Sequence, residues 1–332
     1  MKFNAIRIGI FGIMLSISII FVFSIIFEVD ILATIKIMIP AFMLAAIFSI
    51  GRLFVQGIRF HIFLKKFGQN YKQNIFNSIL IRAGSEFAAL TFLPFLGDEA
   101  VRIALLSRKG VNSGRATWVA YLELLYDSLL GGILTFIAAT YALLLGAISL
   151  SVVLFVMSIP ILIFFSSTLF LSVKKDLHLP NSLSKLIKKL FGESRGKKIA
   201  DFANNTIIVF SNIAKQFFKI SSLKIAVVGT ILTLLIVLLP SLALYVIFNY
   251  LGSSISVFGS ILINSTSTTL GLIPITLGGS GLTEFGIHLY AMNVFGISNW
   301  DAILGWRIST YHIPLTFSTI ALIIILIKLR KK

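Results

Sequence analysis

Two long stretches of this chain contain no Asp, Glu, Lys or Arg. The first runs from Ser128 to Val173, and the second runs from Ile225 to Thr283 over 59 residues. A helix needs about 20 mostly apolar residues to cross a bilayer, so the first stretch alone is long enough for two spans. Of the 332 residues, 57% are hydrophobic and 12% are charged, whereas about 25% are charged in an ordinary soluble domain. The sequence therefore predicts an all-α polytopic membrane protein, with one integral membrane domain over residues 1–332.

The remaining charged residues are mostly basic and lie between the apolar segments. The formal net charge is +17, and residues 174–224 hold eleven Lys or Arg against three acids. Because Lys and Arg concentrate in cytoplasmic loops, we expect this loop and both termini on the cytoplasmic side, and we exclude nucleic acid as a partner. Apolar stripes opposed by lysines predict that helices of this loop lie on anionic lipid headgroups. The stripes are Leu183, Leu186, Ile187 and Leu190, followed by Phe202, Ile213 and Phe217.

Six membrane spans are expected from the apolar segments and their flanking charges. They cover about 8–27, 37–64, 116–145, 150–173, 225–250 and 302–327. The first apolar run is too long for a signal-peptide core and is therefore interpreted as a retained span. The chain has no cysteine, and its four histidines show no metal-ligand spacing, so no disulfide, metal or cofactor is expected.

Two further apolar units are interrupted by proline and glycine. The first, about residues 74–146, begins with an apolar helix from Asn74 to Leu93, followed by Pro94, Gly97 and a short helix from Ala100 to Ser107. Proline ends the helix and glycine permits a turn, and the second leg is about half of the length needed to cross. Because basic loops flank both ends, we interpret this unit as a re-entrant hairpin that enters from the cytoplasm.

The second interrupted unit, about residues 257–327, has the same order of features. An apolar helix from Val257 to Ile273 precedes Pro274, a glycine-rich turn, Glu284 and a short helix to Phe295. It lacks basic flanks, and three spans separate the two units, so this hairpin is expected to enter from outside. Inverted repeats of broken helices are typical of transporters, in which the half-helix ends meet near the midplane. The alternative is that the prolines and glycines serve only helix packing.

Charged residues inside apolar segments are costly and require a partner or a function. Arg82 and Glu86 have the spacing of a helical ion pair, and Arg307 is expected to bridge to Glu284. Arg52 and Arg59 either reach lipid phosphate or pair with Glu123 and Asp127. Guanidinium groups bind phosphate in a bidentate manner, which favours a lipid phosphate headgroup as the substrate. The predicted site has three kinds of residue. The arginines that would bind phosphate are Arg59, Arg102 and Arg307, and the acids that would organise them or carry protons are Asp98, Glu99, Glu123, Asp127 and Glu284. The glycines that would supply backbone ligands are Gly97, Gly278, Gly279 and Gly281.

The order of these residues resembles the lysylphosphatidylglycerol synthetase transmembrane-region family, whose members are also called flippase-like domain proteins. The resembling stretches are Gly57–Phe60, Leu93–Arg102 with Leu105 and Leu106, Leu122–Asp127, Pro274 with Gly278–Glu284, and Arg307. They span roughly residues 5 to 327. The chain departs from the family pattern in its second acid at Asp98–Glu99 and in its long basic loop. We interpret the chain as a lone membrane domain without a fused synthase domain, so we do not expect the resemblance to extend to lysyl-lipid synthesis.

The resemblance implies a lipid flippase or scramblase that moves a phospholipid or a polyprenyl-phosphate lipid between leaflets. Two alternatives remain open at the level of sequence. One is an intramembrane enzyme that acts on lipid phosphate through paired carboxylates, although nucleotide-binding, metal and Ser/His/Asp motifs are missing. The other is a non-transporting partner of an envelope-lipid enzyme. The expected location is the cell membrane, and an oligomer is compatible with the sequence.

Overall fold

The computed structural model describes residues 2–30, 34, 36, 39–69, 71, 74–91, 97–174, 177–217, 219, 222–273 and 276–330. Within these residues the chain is helical and contains no strand. The helices are α1 (Lys2–Ile26), α2 (Ile39–Phe67), α3 (Ile75–Thr91), α4 (Gly97–Arg108), α5 (Ser113–Leu144), α6 (Ile148–Lys174), α7 (Asn181–Phe191), α8 (Glu193–Phe217), α9 (Leu223–Tyr250), α10 (Val257–Gly271), α11 (Leu282–Phe295), α12 (Trp300–Arg307) and α13 (Ile313–Arg330). A π-helical turn, Ile308–His312, joins α12 to α13.

Among the described residues, five long apolar stretches of helix are able to cross a membrane by length and composition. They are Ile39–Phe67, Ser113–Leu144, Ile148–Ser172, Leu223–Tyr250 and Trp300–Leu329. These stretches coincide with five of the six predicted spans, and their lipid-facing surfaces expose many large apolar side chains. The sixth predicted span falls on α1, which has 25 residues and begins at Lys2 rather than near Ile8. The prediction of an all-α polytopic membrane protein is therefore confirmed.

The first interrupted unit forms two helices, α3 and α4, that pack against each other. A Cβ added to Gly97 would lie 2.9 Å from the carbonyl oxygen of Ala88, so glycine is required for this close approach. The predicted start of the short helix at Ala100 is wrong, because α4 begins at Gly97 and places Asp98 and Glu99 in its first turn. Carboxylates favour this position because the helix dipole is positive there. The predicted helix breaker Pro94 lies outside the described residues.

The second interrupted unit pairs α10 with α11 through a glycine-rich turn. Gly278, Gly279 and Gly281 have φ angles of 61°, 67° and 91°, a left-handed conformation that glycine adopts without steric cost. The Gly281 N–H donates to Glu284 Oε2 at 2.8 Å, which caps the start of α11. Helix α10 ends at Gly271, two residues before the predicted Ile273, and Pro274 lies outside the described residues.

The glycine turn of the second unit lies against the end of α3 in the first unit. A Cβ added to Gly278 would lie only 2.2 Å from the carbonyl oxygen of Leu90, close to the end of α3. The Tyr311 hydroxyl donates to the same carbonyl oxygen at 2.5 Å. Tyr311 therefore connects the π-helical turn to α3 at the point where the glycine turn contacts it.

The buried apolar residues form two separate cores. The first core contains α3 and α4 together with Phe60, Phe63 and Trp118, and the second contains α10 and α11 together with Leu244. Helices α2 and α5 contribute to both cores. Between their two contributions, each helix carries polar or charged residues among apolar ones: Arg52 and Gln56 on α2, and Asp127 on α5. A charged layer therefore separates the two cores.

The basic loop forms α7 and α8, which differ in how they pack. On α7 the predicted stripe of Leu183, Leu186 and Leu190 is exposed, with Lys185, Lys188 and Lys189 beside it. On α8 the second predicted stripe does not lie wholly on a surface. Its Ile213 and Phe217 are buried in the first core, whereas Phe202 is exposed. The loop prediction was incorrect there because α8 packs against the start of α5 through Trp118.

A candidate lipid-binding cavity between the two hairpins

A cavity of about 350 Å³ lies in the charged layer between the two cores. Helices α2, α3 and α4 contribute most of its charged lining, and α5, α6 and α9 contribute most of its apolar lining. Helix α10, the glycine turn and the end of α12 close the remaining side. The charged lining residues are Arg52, Arg82, Glu86, Asp98, Glu99, Arg102, Asp127 and Arg307. The cavity thus joins both hairpins in one site.

Arg102 is the central cation of the site and projects from α4. Its guanidinium contacts Glu123 Oε2, Asp98 Oδ2 at 2.6 Å and Glu99 Oε1 at 3.4 Å. The side chain is almost completely buried. An arginine can satisfy three carboxylates because its planar fork carries five N–H donors. Arg102 therefore connects the short helix of the first hairpin to α5.

Arg59 lies behind the wall of the cavity rather than in it. It donates to Asp127 from both terminal nitrogens, at 2.6 and 2.8 Å, and to Thr233 Oγ1 at 2.8 Å. Glu123 lies 3.4 Å away on the same side. Of the two predicted roles of Arg59, binding lipid phosphate or pairing with the acids of α5, the structure shows the pairing. The same contacts hold Asp127 in place at the cavity edge.

Arg52 has a different partner from Arg59, although both lie on one face of α2. Its Nη2 lies 2.6 Å from Glu86 Oε1, and Arg82 Nη1 lies 3.0 Å from Glu86 Oε2, which confirms the predicted Arg82–Glu86 pair. With its amide oriented to suit these neighbours, Gln56 donates to Glu86 at 2.8 Å and accepts from Arg82 at 3.2 Å. The four side chains form one network on the cavity wall.

Arg307 ties the glycine turn to the last span. Its Nε lies 2.9 Å from Glu284 Oε1, so the predicted bridge is confirmed. Its Nη2 donates to the Gly278 carbonyl at 3.1 Å and to Ser280 Oγ at 3.0 Å. The guanidinium also lies 3.9 Å from the ring centroid of Tyr311, a favourable cation–π arrangement. Glu284 is fully buried and orients Arg307 from behind.

The predicted site residues divide into a cavity-lining group and a supporting group. Asp98, Glu99, Arg102, Asp127, Arg307 and Gly278 line the cavity. Arg59, Glu123 and Glu284 are buried behind them. Gly97, Gly279 and Gly281 shape the turns, so of the four glycines predicted as backbone ligands only Gly278 reaches the cavity.

Several lining residues were not among the predicted site residues. Arg52, Gln56, Arg82 and Glu86 come from α2 and α3, and Asn264, Ser265, Thr268 and Thr269 come from α10. On α2, the signal was the four-residue spacing of Arg52 and Gln56. On α10, the signal was an unbroken polar run from Asn264 to Thr269. Residues four apart share a helix face, which brings Asn264 together with Thr268 and Ser265 together with Thr269.

The fold and the site together define the class of protein. Several long apolar helices surround a cavity with buried ion pairs, and such an arrangement belongs to an integral membrane protein of the all-α polytopic class. Residues 9–318 match the family described as lysylphosphatidylglycerol synthase TM region. The chain belongs to this family. It is also similar to a UPF0104 membrane protein from Archaeoglobus fulgidus, with 26% identity over 276 residues that cover 78% of this chain and 79% of the relative.

Proposed function

We propose that this protein moves a phosphate-bearing lipid, either a phospholipid or a polyprenyl-phosphate lipid, between the two leaflets of the cell membrane. The observation that carries the proposal is the division of the cavity into a charged inner part and an apolar, partly exposed part. A lipid has the same division, because its headgroup is charged and its tail is apolar.

The inner part of the cavity suits a headgroup. Arg82, Arg102, Glu86 and Asp98 are buried there, and guanidinium groups bind phosphate oxygens in pairs. The Arg102–Glu99 contact, at 3.4 Å, is the longest that Arg102 makes with a carboxylate side chain. It is therefore the contact that a phosphate displaces most easily. The cavity volume lies at the lower end of the range for ligand pockets, about 300–1,000 Å³. In this proposal the cavity therefore holds the headgroup, and the tails stay outside.

The apolar part of the cavity suits the start of a lipid tail. Its partly exposed lining residues lie on α5 and α9, among them Ser128, Gly131, Val237 and Pro240. A Cβ added to Gly131 would have no neighbour within 4 Å. Asp127, on the same side, is 35% exposed. We place the lateral opening between α5 and α9, where a tail remains in the bilayer while the headgroup occupies the cavity.

The two hairpins supply the path between leaflets in this proposal. In it, the first enters from the cytoplasmic side and the second from the outer side, and the contact between Leu90 at the end of α3 and Gly278 lies near the midplane. Transporters with inverted repeats expose such a site to one side at a time. Helix α7, with its exposed leucines and flanking lysines, lies on anionic headgroups at the cytoplasmic surface, on the same side as both termini.

The test uses purified protein reconstituted into vesicles with fluorescent phospholipids or polyprenyl phosphates. We expect protein-dependent exchange of lipid between leaflets, with the lipid unchanged by mass spectrometry. Gly131→Leu should reduce the rate at least tenfold, because its side chain fills the open space without removing a charge. The matched control Thr140→Leu adds apolar bulk to the same helix, where the Thr140 hydroxyl bonds only its own helix, and should leave exchange intact.

Three results would contradict the proposal. A chemically altered lipid product would favour an intramembrane enzyme. Vesicles in which neither lipid moves nor reacts would favour a partner protein. Full exchange by Gly131→Leu would remove the cavity from the transport path.

A further inference from the structure

The charged layer holds more carboxyl groups than guanidinium groups. Among the described residues in contact around Arg102, there are four arginines and five acids. The arginines are Arg52, Arg59, Arg82 and Arg102, and the acids are Glu86, Asp98, Glu99, Glu123 and Asp127. Glu284 and Arg307 balance each other separately. If every acid were ionised, this buried network would carry one uncompensated negative charge, which is costly in a low-dielectric interior.

Glu99 is the acid with the weakest compensation. Glu86, Asp98 and Asp127 each have a guanidinium nitrogen at 2.6 Å, and Glu123 contacts Arg102 directly. Within the part of the chain that the structure describes, Glu99 reaches one arginine only, at 3.4 Å, and its other oxygen, Oε2, is buried without a hydrogen-bond donor. Protonation of Glu99 is therefore the least costly way to remove the excess negative charge.

The residue next to Glu99 supports the same conclusion. Asp98 Oδ2 and Glu99 Oε1 approach the same nitrogen of Arg102, Nη2, at 2.6 and 3.4 Å, so the two carboxyl groups are close neighbours. Two carboxylates repel and both only accept hydrogen bonds, so such a pair is stable when one of them carries a proton. We infer that Asp98 and Glu99 share one bound proton at the cavity wall, and that this proton makes the charged layer electrically neutral.

The proton site is linked to the lipid site, and only this link depends on the proposed function. Loss of the proton adds a negative charge beside Arg102, which opposes entry of a phosphate group. Lipid movement should therefore fall as the pH rises through the range in which the pair deprotonates. Two charged groups contact the pair directly, Arg82 from α3 and Arg102 from α4. The other charged groups around it belong to the same network or face the same cavity: Arg52 and Arg59 from α2, Glu86 from α3, Glu123 and Asp127 from α5, and Arg307 from α12.

Infrared spectroscopy of the purified protein tests the proton site directly. At neutral pH we expect a C=O stretching band from a protonated carboxyl group, and raising the pH should abolish it. Both Glu99→Gln and Asp98→Asn should remove this band. Either change leaves four acids and four arginines in the network, so the remaining acid of the pair is ionised and its charge is compensated. Two variants are used so that failure of one to fold does not prevent the test. Glu193→Gln is the control, since Glu193 is 79% exposed on α8, and should retain the band.

Wild-type protein without a protonated carboxyl group at neutral pH would overturn the inference. So would a band that persists in both Glu99→Gln and Asp98→Asn. Lipid exchange measured at several pH values adds a second readout, and any exchange by Glu99→Gln should not vary over the range in which the wild-type band titrates. If no lipid moves at any pH, the proposed function fails while the infrared result still decides the proton site.

Discussion

At the scale of single residues, Arg102 determines how the first hairpin joins the rest of the molecule. It is buried and contacts three acids from two helices. Removing one partner from a buried ionic network is strongly destabilising, by about 3–5 kcal/mol, because the remaining charges lose their compensation. The stability of the hairpin and, under the proposed function, the binding of a lipid phosphate therefore depend on the same guanidinium.

The first prediction concerns Arg102→Ala. We expect a loss of about 3–5 kcal/mol in unfolding free energy and loss of lipid exchange. Arg102→Lys should recover part of the stability and little of the exchange, since an ammonium group is a point charge without the planar fork. Thermal unfolding in detergent and vesicle exchange measure the two effects. Arg108→Ala, an exposed change on the same helix, is the control; equal behaviour of Arg102→Ala and Arg108→Ala would remove Arg102 from both roles.

At the scale of helices and turns, the contact between Gly278 and Leu90 fixes the two hairpins against each other. Gly278 combines a positive φ of 61° with a backbone neighbour that leaves no space for a side chain. Tyr311 strengthens the contact from the π-helical turn, a type of irregularity that often occurs at functional sites. The position of one hairpin therefore depends on the other.

The second prediction, at the scale of turns, compares Gly278→Ala with Gly252→Ala. Both glycines have a positive φ, 61° and 79°, so each substitution carries a backbone cost of about 1–2 kcal/mol. Of the two, only Gly278 has close neighbours at its Cβ position. Gly278→Ala should therefore also push the glycine turn away from Leu90 and reduce lipid exchange. Unfolding and exchange assays on the two variants distinguish these effects. Equal consequences for both variants would show that the contact with Leu90 is unimportant.

At the scale of the whole molecule, we propose that the two hairpins insert from opposite sides of the membrane. The chain contains no cysteine, so one introduced cysteine is the only thiol available to a membrane-impermeant reagent. We predict that Arg108→Cys and Lys185→Cys react from the cytoplasmic side and Ser298→Cys from the outer side. Labelling of intact cells and of inverted vesicles checks this. Reaction of the cysteines at 108 and 298 from one side would contradict the inverted arrangement.

The sequence predicts the helical membrane fold better than it predicts the contacts in the site. Hydropathy identifies the spans because each helix must itself be apolar. Arg52 and Arg59 show the limit, since they share a helix face yet pair with acids on α3 and α5 respectively. Which helix lies beside each arginine depends on tertiary packing. The polar face of α10 was missed because Asn, Ser and Thr carry no charge to mark them.

The two apolar cores have a mechanical consequence. Each core packs its own hairpin, but α2 and α5 run through both cores, so a tilt of one half against the other must bend these helices at the charged layer. In that layer Arg59, Arg82 and Arg102 each contact more than one carboxylate, so an ion pair that lengthens on one side leaves another in place. Under the proposed function, this deformable layer is also the plane that a headgroup crosses.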